Sequence, residues 1–444
     1  MICNNGFLIR TAKAAQNSVG RGTKHELFPS IERPELPSVQ AGTIGNNIAN
    51  SQTVGFKSSN VQFSDVFAGS KVGLGTRVST VMQNFNEGNV ESTNRNLDLA
   101  IAGDGFFRFQ DPSGEVVYSR NGQLSMTSEG DLINAQGAQI MGFGLNAAGQ
   151  VQAGGQPVPL NVSAEELDAS MTTNVATTLN LDARKVFEEE LSTVEVRDQN
   201  DNMVPINYHY SNNFTVYDSL GNPRNITVYY EKTDNANEWT AKMSMDGQAL
   251  GGNVPTEFSL QFDSNGKLET GAGNVDANGA IPGIGFLSAE FFNGEPEDLE
   301  FTLNLAGTTQ FGNTSTVSSL NQNGYTSGTL VGITINDDGT IMRNYSNEQS
   351  RPAGQVSLVS FRNPEGLTPA GDNVWTASAA SGQELVGAPG TGLLGSVVSG
   401  AVETSNVDMA RELVDMIVAQ RAYQANSQTI KTQDELLQTA INLR

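Results

Sequence analysis

The chain has 444 residues, a net charge of −23, 37% hydrophobic and only 16% charged residues, and 47 glycines. That length can hold two or three domains with sizeable cores, and the acidic balance repels a phosphate backbone, which argues against nucleic-acid binding. The single cysteine, Cys3, excludes a disulfide framework and a thiolate zinc site, and no stretch approaches the ~20 apolar residues of a membrane span.

Residues 1–40 hold a short apolar patch, Phe7-Leu8-Ile9, too brief for the apolar region of a cleaved export signal. Pro29, Pro34 and Pro37 with Gly20 and Gly22 break helical continuity, so this stretch is expected to be an atypical flexible leader. From Ala41 the character changes. Ile44 and Ile48 share a helical face within Gly45-Asn46-Asn47-Ile48-Ala49-Asn50, Asn50 suits a left-handed helix end, and Gly55-Phe56-Lys57 reads as a turn anchored by an aromatic.

Residues 71–160 read as strands and turns. Thr76 to Val81 and Leu97 to Ile101 alternate, and hairpin signals recur at Asp111-Pro112-Ser113-Gly114, Asn121-Gly122 and Ser128-Glu129-Gly130-Asp131. Residues 161–324 continue in β style. Asn213 to Tyr217 and Ile226 to Tyr230 flank a turn at 218–223, and Phe258 to Phe262 and Lys267-Leu268 flank Asp263-Ser264-Asn265-Gly266. From Tyr325 the strand style of 71–160 returns, with Gly332 to Ile335, the turn Asp337-Asp338-Gly339 and Val356 to Phe361, before a Gly- and Ala-rich loop region at 368–400 around Trp375. The expected fold is mainly β with helical termini: two nested β-rich domains plus a coiled-coil-type terminal region. Residues 41–70 and 403–444 form the helical assembly region, 71–160 and 325–402 an inner β domain, and 161–324 an inserted outer β domain.

The last forty residues contain no Gly or Pro. Met409, Met416, Tyr423, Ile430 and Leu437 recur every seven residues, flanked by Leu413, Ile417 and Ile441, which lines them up along one side of a helix. Gln420, Ser427 and Asp434 make the intervening seam positions polar, Ser405 is placed to cap the first turn, and Arg411 and Asp415 are spaced as an ion pair. A helix about 50 Å long with so thin a stripe needs another helix to cover it.

Chemistry-bearing residues are sparse. His25 and His209 are the two histidines, and His209 reads as a satisfied or surface strand residue. Acidic runs such as Glu188-Glu189-Glu190 read as solvated loops, Asp337-Asp338-Gly339 is too short for a calcium loop, and Gly73-Leu74-Gly75 and Gly103-Asp104-Gly105 lack a phosphate-loop setting. No enzyme activity, metal or cofactor is expected.

The two ends carry a resemblance. Gly45-Asn46-Asn47-Ile48-Ala49-Asn50 with Gly55-Phe56-Lys57, and Glu403-Thr404-Ser405-Asn406-Val407-Asp408 with Glu412-Leu413-Val414 and Gln420-Arg421-Ala422-Tyr423-Gln424, resemble the terminal signatures of bacterial flagellar rod and hook axial proteins. Asp104-Gly105-Phe106-Phe107 and Tyr118-Ser119-Arg120-Asn121-Gly122 are similar to the inner β domain of that family. The segment 67–75, Ile430-Lys431-Thr432-Gln433-Asp434 and the large middle insertion look like its hook members. The resemblance implies a helical homopolymer that passes motor torque to the filament, exported through the flagellar type III apparatus without a cleaved signal. Its implied partners are other copies of the chain, the distal rod and hook–filament junction proteins, the hook cap and the export apparatus. In the family a helix rich in Ala and Leu leads into the first signature, and residues 1–40 depart from that pattern. A distal rod subunit is the alternative within the family, and a secreted carbohydrate-binding or glycoside-cleaving β protein the alternative outside it.

Overall fold

The structure, a computed structural model, describes residues 35–66, 76–197, 202–249, 257–286 and 296–442. The leader as far as Pro34 and the 67–75 segment fall outside them. The chain forms two compact units, one from residues up to Asn89 with 363–366 and 403 onward, the other from 90–362 and 367–402.

In the first unit, α1 spans Glu35–Ala49, β1 Ser59–Asp65, β2 Thr76–Gln83, and α2 Met409–Asn442. α1 starts six residues before Ala41 and takes in Pro37, a residue expected to break it. Proline is tolerated there because the first four N–H groups of a helix have no intrahelical acceptor to lose. β1 and β2 pair antiparallel, with a bulge between Gln62 and Phe63. The cap of α2 is Asp408 rather than Ser405. Asp408 Oδ1 accepts from the amides of Ala410 and Arg411 at 3.0 and 3.2 Å, whereas the Ser405 hydroxyl sits upstream and accepts from Val407 N–H. Arg411 and Asp415 do pair, at 4.0 Å on the exposed face, where such a contact contributes little.

The second unit is all β and holds two main cores. One joins residues from both flanks of the chain, Leu99, Phe107, Phe109 and Ile140 with Ile341, Val356, Leu358 and Val397. Its large sheet runs in the order Leu330–Ile335, Thr340–Tyr345, Ser350–Val356, Gln139–Phe143, Phe106–Gln110, Val116–Ser119, Val374–Thr376, Thr368–Gly371. The early and late segments therefore meet as neighbours, Gly142 opposite Val356 and Phe107 opposite Leu358. The stretch 368–400, expected as loop, contributes four strands of three or four residues. They are too short to show an alternating pattern, and fully buried Trp375 anchors one of them.

The other core lies wholly between Val175 and Leu305, with Trp239, Tyr230, Phe258, Phe286 and Phe301 at its centre. A five-stranded and a seven-stranded sheet both feed it. Tyr210–Tyr217 and Pro223–Lys232 pair antiparallel as their alternation suggests, but Asn174–Asp182 pairs parallel with both Leu299–Asn304 and Thr309–Phe311.

One turn recurs across both cores. In Asp218-Ser219-Leu220-Gly221-Asn222 the Asp218 Oδ1 accepts from the amides two and four residues on, at 3.0 and 2.9 Å, and Gly221 has φ +80°. Asp263 repeats it with Asn265 and Lys267, Asp276 with Asn278 and Ala280, and Asn134 and Asn146 do the same with an amide oxygen. The acceptor satisfies two turn amides and the glycine supplies the left-handed residue, so Asx-x-x-Gly is a local code for these hairpins. Asn121-Gly122 is not one of them. Gly122 lies in a short strand opposite Leu99, where a Cβ would meet the Leu99 carbonyl at 2.2 Å and the Phe107 ring at 2.6 Å. It is there for close approach.

Candidate functional site

The chemistry of the first unit lies where the two ends of the chain meet. Asn47, on the face of α1 turned from solvent, is 1% exposed. Its amide nitrogen donates to the Ser59 carbonyl at 2.9 Å and to Glu412 Oε1 at 3.0 Å, and its oxygen accepts from Ser59 N–H at 2.9 Å. One side chain thus ties α1 to β1 and to α2. Asn406, just upstream of α2, ties the chain before β1 to the chain after β2. Its oxygen accepts from Ser58 N–H, and its nitrogen donates to the carbonyls of Asn84 and Asn86.

Between them sits a fully buried ion pair. Lys57 Nζ lies 2.7 Å from Glu403 Oε1 and also donates to the Asn86 carbonyl at 2.6 Å. Glu403 Oε1 accepts from Gly88 N–H at 2.8 Å, and the Glu403 carbonyl accepts from Gly55 N–H at 2.7 Å. Buried charges persist only when paired and hydrogen-bonded, and both conditions are met. Lys57, Glu403, Asn406 and Glu412 all fall inside the terminal signatures, yet pattern and spacing assign them no task. One signal was available. Lys57 is the only charged residue between Glu35 and Asp65, and Glu403 the only one between Glu384 and Asp408.

The remaining N-terminal motif residues have local tasks. Asn50 has no left-handed φ, contrary to expectation. Its side chain caps instead, donating to the Asn46 carbonyl and Oδ1 and accepting from Thr53 Oγ1. Gly55 does adopt a positive φ, +69°, and Phe56 closes a turn onto the Thr53 carbonyl. Ile44 is buried, Ile48 half-buried and Ala49 exposed.

α1 and α2 run antiparallel. Ser51 reaches Met409, Asn47 reaches Glu412, and a Cβ on Gly45 would lie 3.8 Å from Met416. The less exposed positions of α2 are Glu412, Met416, Ala419, Asn426, Ile430 and Gln433, with Ser427 beside them. Their steps of four and three residues, interrupted by one step of seven that passes over exposed Tyr423, keep a heptad seam. Its second line is Ala419, Asn426 and Gln433, one residue round the helix from the expected Gln420, Ser427 and Asp434, with Ala419 almost fully buried. Of the expected stripe, Met416 and Ile430 lie half-buried on this side. Met409, Leu413, Ile417, Tyr423, Leu437 and Ile441 are 40–72% exposed, and Leu413, Val414, Ile417 and Val418 share the side turned away from the seam.

Burial pushes the Glu412 carboxyl above its ordinary range, with Asp415 adding to the rise, against the opposing hydrogen bond from Asn47. In the second unit, Arg108 grips Glu384 at 3.1 and 3.2 Å while Tyr118 donates to it at 2.6 Å, a buttress under the aromatic cluster of Phe106, Phe361 and Trp375. His209 is engaged through both ring nitrogens. Among the described residues, no group of three or more His, Cys, Asp or Glu could hold a metal ion, and no helix is long and apolar enough to cross a membrane.

The signatures joined by this clamp have relatives. The flagellar hook protein FlgE/F/G D1 domain matches residues 100–177, the flagellar basal body protein FlaE D2 domain 180–325, and the flagellar basal body rod FlgEFG protein C-terminal domain 398–443. The flagellar hook protein of Salmonella typhimurium is 43% identical over 404 residues, 90% of this chain and 95% of its own length. The chain belongs to the flagellar hook protein family. The hook proteins of Escherichia coli, 42% identical over 90% of this chain, and Borreliella burgdorferi, 30% over 94%, extend the likeness. A solved flagellar hook protein of Helicobacter pylori superposes with a TM-score of 0.49 at 12% identity, over 71% of this chain and 100% of that one. This hook-family chain is a structural flagellar component rather than an enzyme, and neither the distal rod reading nor the carbohydrate-active one finds support in these matches.

Proposed function

We propose that this hook-family chain polymerises with copies of itself into the tubular flexible joint of the flagellum, using the outward side of α2 as its assembly surface. The observation that carries this reading is the exposure of Leu413, Val414, Ile417 and Val418 on the side of the 34-residue α2 opposite the Glu412–Met416 line, where α1 already packs. A contiguous apolar face left in water is a docking surface, and a head-to-tail contact that does not close generates a helical tube. Met409, Tyr423, Leu437 and Ile441, on the seam side of the helix with Met416 and Ile430, add a second exposed apolar strip for neighbouring copies, while the polar seam positions keep helix pairs shallow enough to re-pack as a joint bends. The Asn47–Lys57–Glu403–Asn406 clamp holds both signatures in register so that one folded unit presents the helix. The distal rod and hook–filament junction proteins bound the polymer, a cap guides its growth, and subunits reach it through the flagellar export apparatus without a cleaved signal. The test is a flagellated strain carrying this gene with codons 405–444 removed. Electron microscopy is expected to show rods without hooks, with subunit in the medium. Normal hooks and filaments would sink the reading.

A further inference from the structure

In the second unit, His209 lies between the strands Met203–Tyr208 and Tyr210–Tyr217, and its ring bridges two segments that no ladder joins. Nδ1 accepts from the Lys232 amide at 3.1 Å, and Nε2 faces the carbonyls of Val186 and Glu189 at 3.0 and 3.1 Å. A backbone amide can only donate and a carbonyl can only accept, so the contacts fix the ring as neutral with its proton on Nε2. Lys232 ends the strand Pro223–Lys232, and its neighbouring strand begins only at Tyr210. The imidazole nitrogen stands in for the missing strand carbonyl.

The segment held by Nε2 needs holding. It contains two non-glycine residues in the left-handed region, Glu188 at φ +61° and Glu190 at +52°, where a Cβ crowds the following carbonyl. It also carries Val186 and Phe187 exposed to solvent. We propose that His209 is a proton-operated pin. When neutral it ties the 183–191 loop to the end of strand Pro223–Lys232, and when charged it keeps the loop and releases the Lys232 amide. A second proton on Nδ1 sets two donors face to face at the Lys232 amide, whereas the Nε2–H bonds to the two carbonyls become charge-assisted.

Charged groups face the ring from both sides. From the loop, Glu190 favours the imidazolium and is itself paired to Lys185 at 2.6 Å; Glu188 and Glu189 are exposed, and Asp182 is engaged by Arg184. From the strand, the Lys232 ammonium is held on the Ala183 carbonyl at 2.9 Å and lies 5.8 Å from the Trp239 ring centroid, and Glu231 is paired with Lys242. The Trp239 ring meets the imidazole edge to face at 5.8 Å. With both ring nitrogens protonated the imidazole still donates to the two loop carbonyls but offers the Lys232 amide no acceptor, so the amide contact is the one that breaks while Lys232 Nζ stays on the Ala183 carbonyl.

The experiment uses the full chain with His25→Gln, which leaves one imidazole, labelled with 15N. Near about pH 8 the ring nitrogens are expected to report the Nε2-protonated tautomer. The Lys232 amide protection factor is expected to fall about fivefold between about pH 8 and about pH 5, the change for losing one net hydrogen bond. His209→Asn keeps an acceptor for that amide but cannot titrate, and its protection should be independent of pH over that range. A proton on Nδ1 near pH 8, or equal Lys232 protection at the two pH values, overturns the proposal. The tautomer measurement decides even if the Asn variant fails to fold.

Discussion

Lys57 and Glu403 are 346 residues apart in sequence and 2.7 Å apart in space, with no solvent at either side chain. Removing one member leaves the other charged and buried, which costs about 3–5 kcal/mol, whereas an apolar pair of similar volume can be neutral. Glu403→Ala is therefore expected to lower the stability of the helical unit by that amount, and Lys57→Met with Glu403→Leu together to recover most of it. Urea titration followed by helical circular dichroism checks both, and equal losses in the single and double variants would refute the clamp. No spacing rule links residues so distant, so the pair was legible only as two lone opposite charges in neutral stretches. The Asx-x-x-Gly turns were legible because the acceptor, the amides it satisfies and the glycine all lie within five residues. Asn121-Gly122 shows the limit of that code. The same dipeptide serves close approach to Leu99 and Phe107, which sequence neighbours do not encode.

At the scale of elements, the α1–α2 pair carries a built-in pH term. The folded Glu412 carboxyl lies above its ordinary value, chiefly through burial, so the folded state binds its proton more tightly than the unfolded chain does. Its charged form thus opposes folding at neutral pH, and the penalty disappears as pH falls through the folded value toward the unfolded one near ~4.3. Glu412→Gln is expected to stabilise the helical unit near neutral pH, by less than about 1 kcal/mol because the group is partly exposed, and the thermal midpoint reads the gain. The gap to the wild type should close on acidification, and a gap independent of pH would contradict the assignment. The existence and extent of α2 were readable from a glycine-free, seven-residue pattern. Its seam was not, because the pattern shows every apolar position but not which side α1 takes. Ala419 offers no bulk and Gly45 no side chain, so α1 settles there rather than against Leu413 and Ile417.

At the scale of the whole chain, the order helix, β, β, β, helix encloses one β core within the sequence of another. The second core lies between Val175 and Leu305, and the first draws on both flanks. Strand style along the sequence revealed this nesting, since it changes and then returns. The parallel pairing of Asn174–Asp182 with two later strands was hidden, because alternation reports which face is buried and not which neighbour lies alongside. The proposed assembly surface is the outward side of α2, an apolar face that the folded chain leaves uncovered. The most direct measurement replaces Leu413 and Ile417 by lysine in a motile strain and follows hook length by electron microscopy beside secreted subunit. Both side chains are about half exposed, so the purified monomer should keep its unfolding midpoint. Subunit is expected to accumulate in the medium, with rods bearing no hooks. Hooks of normal length and number would contradict it.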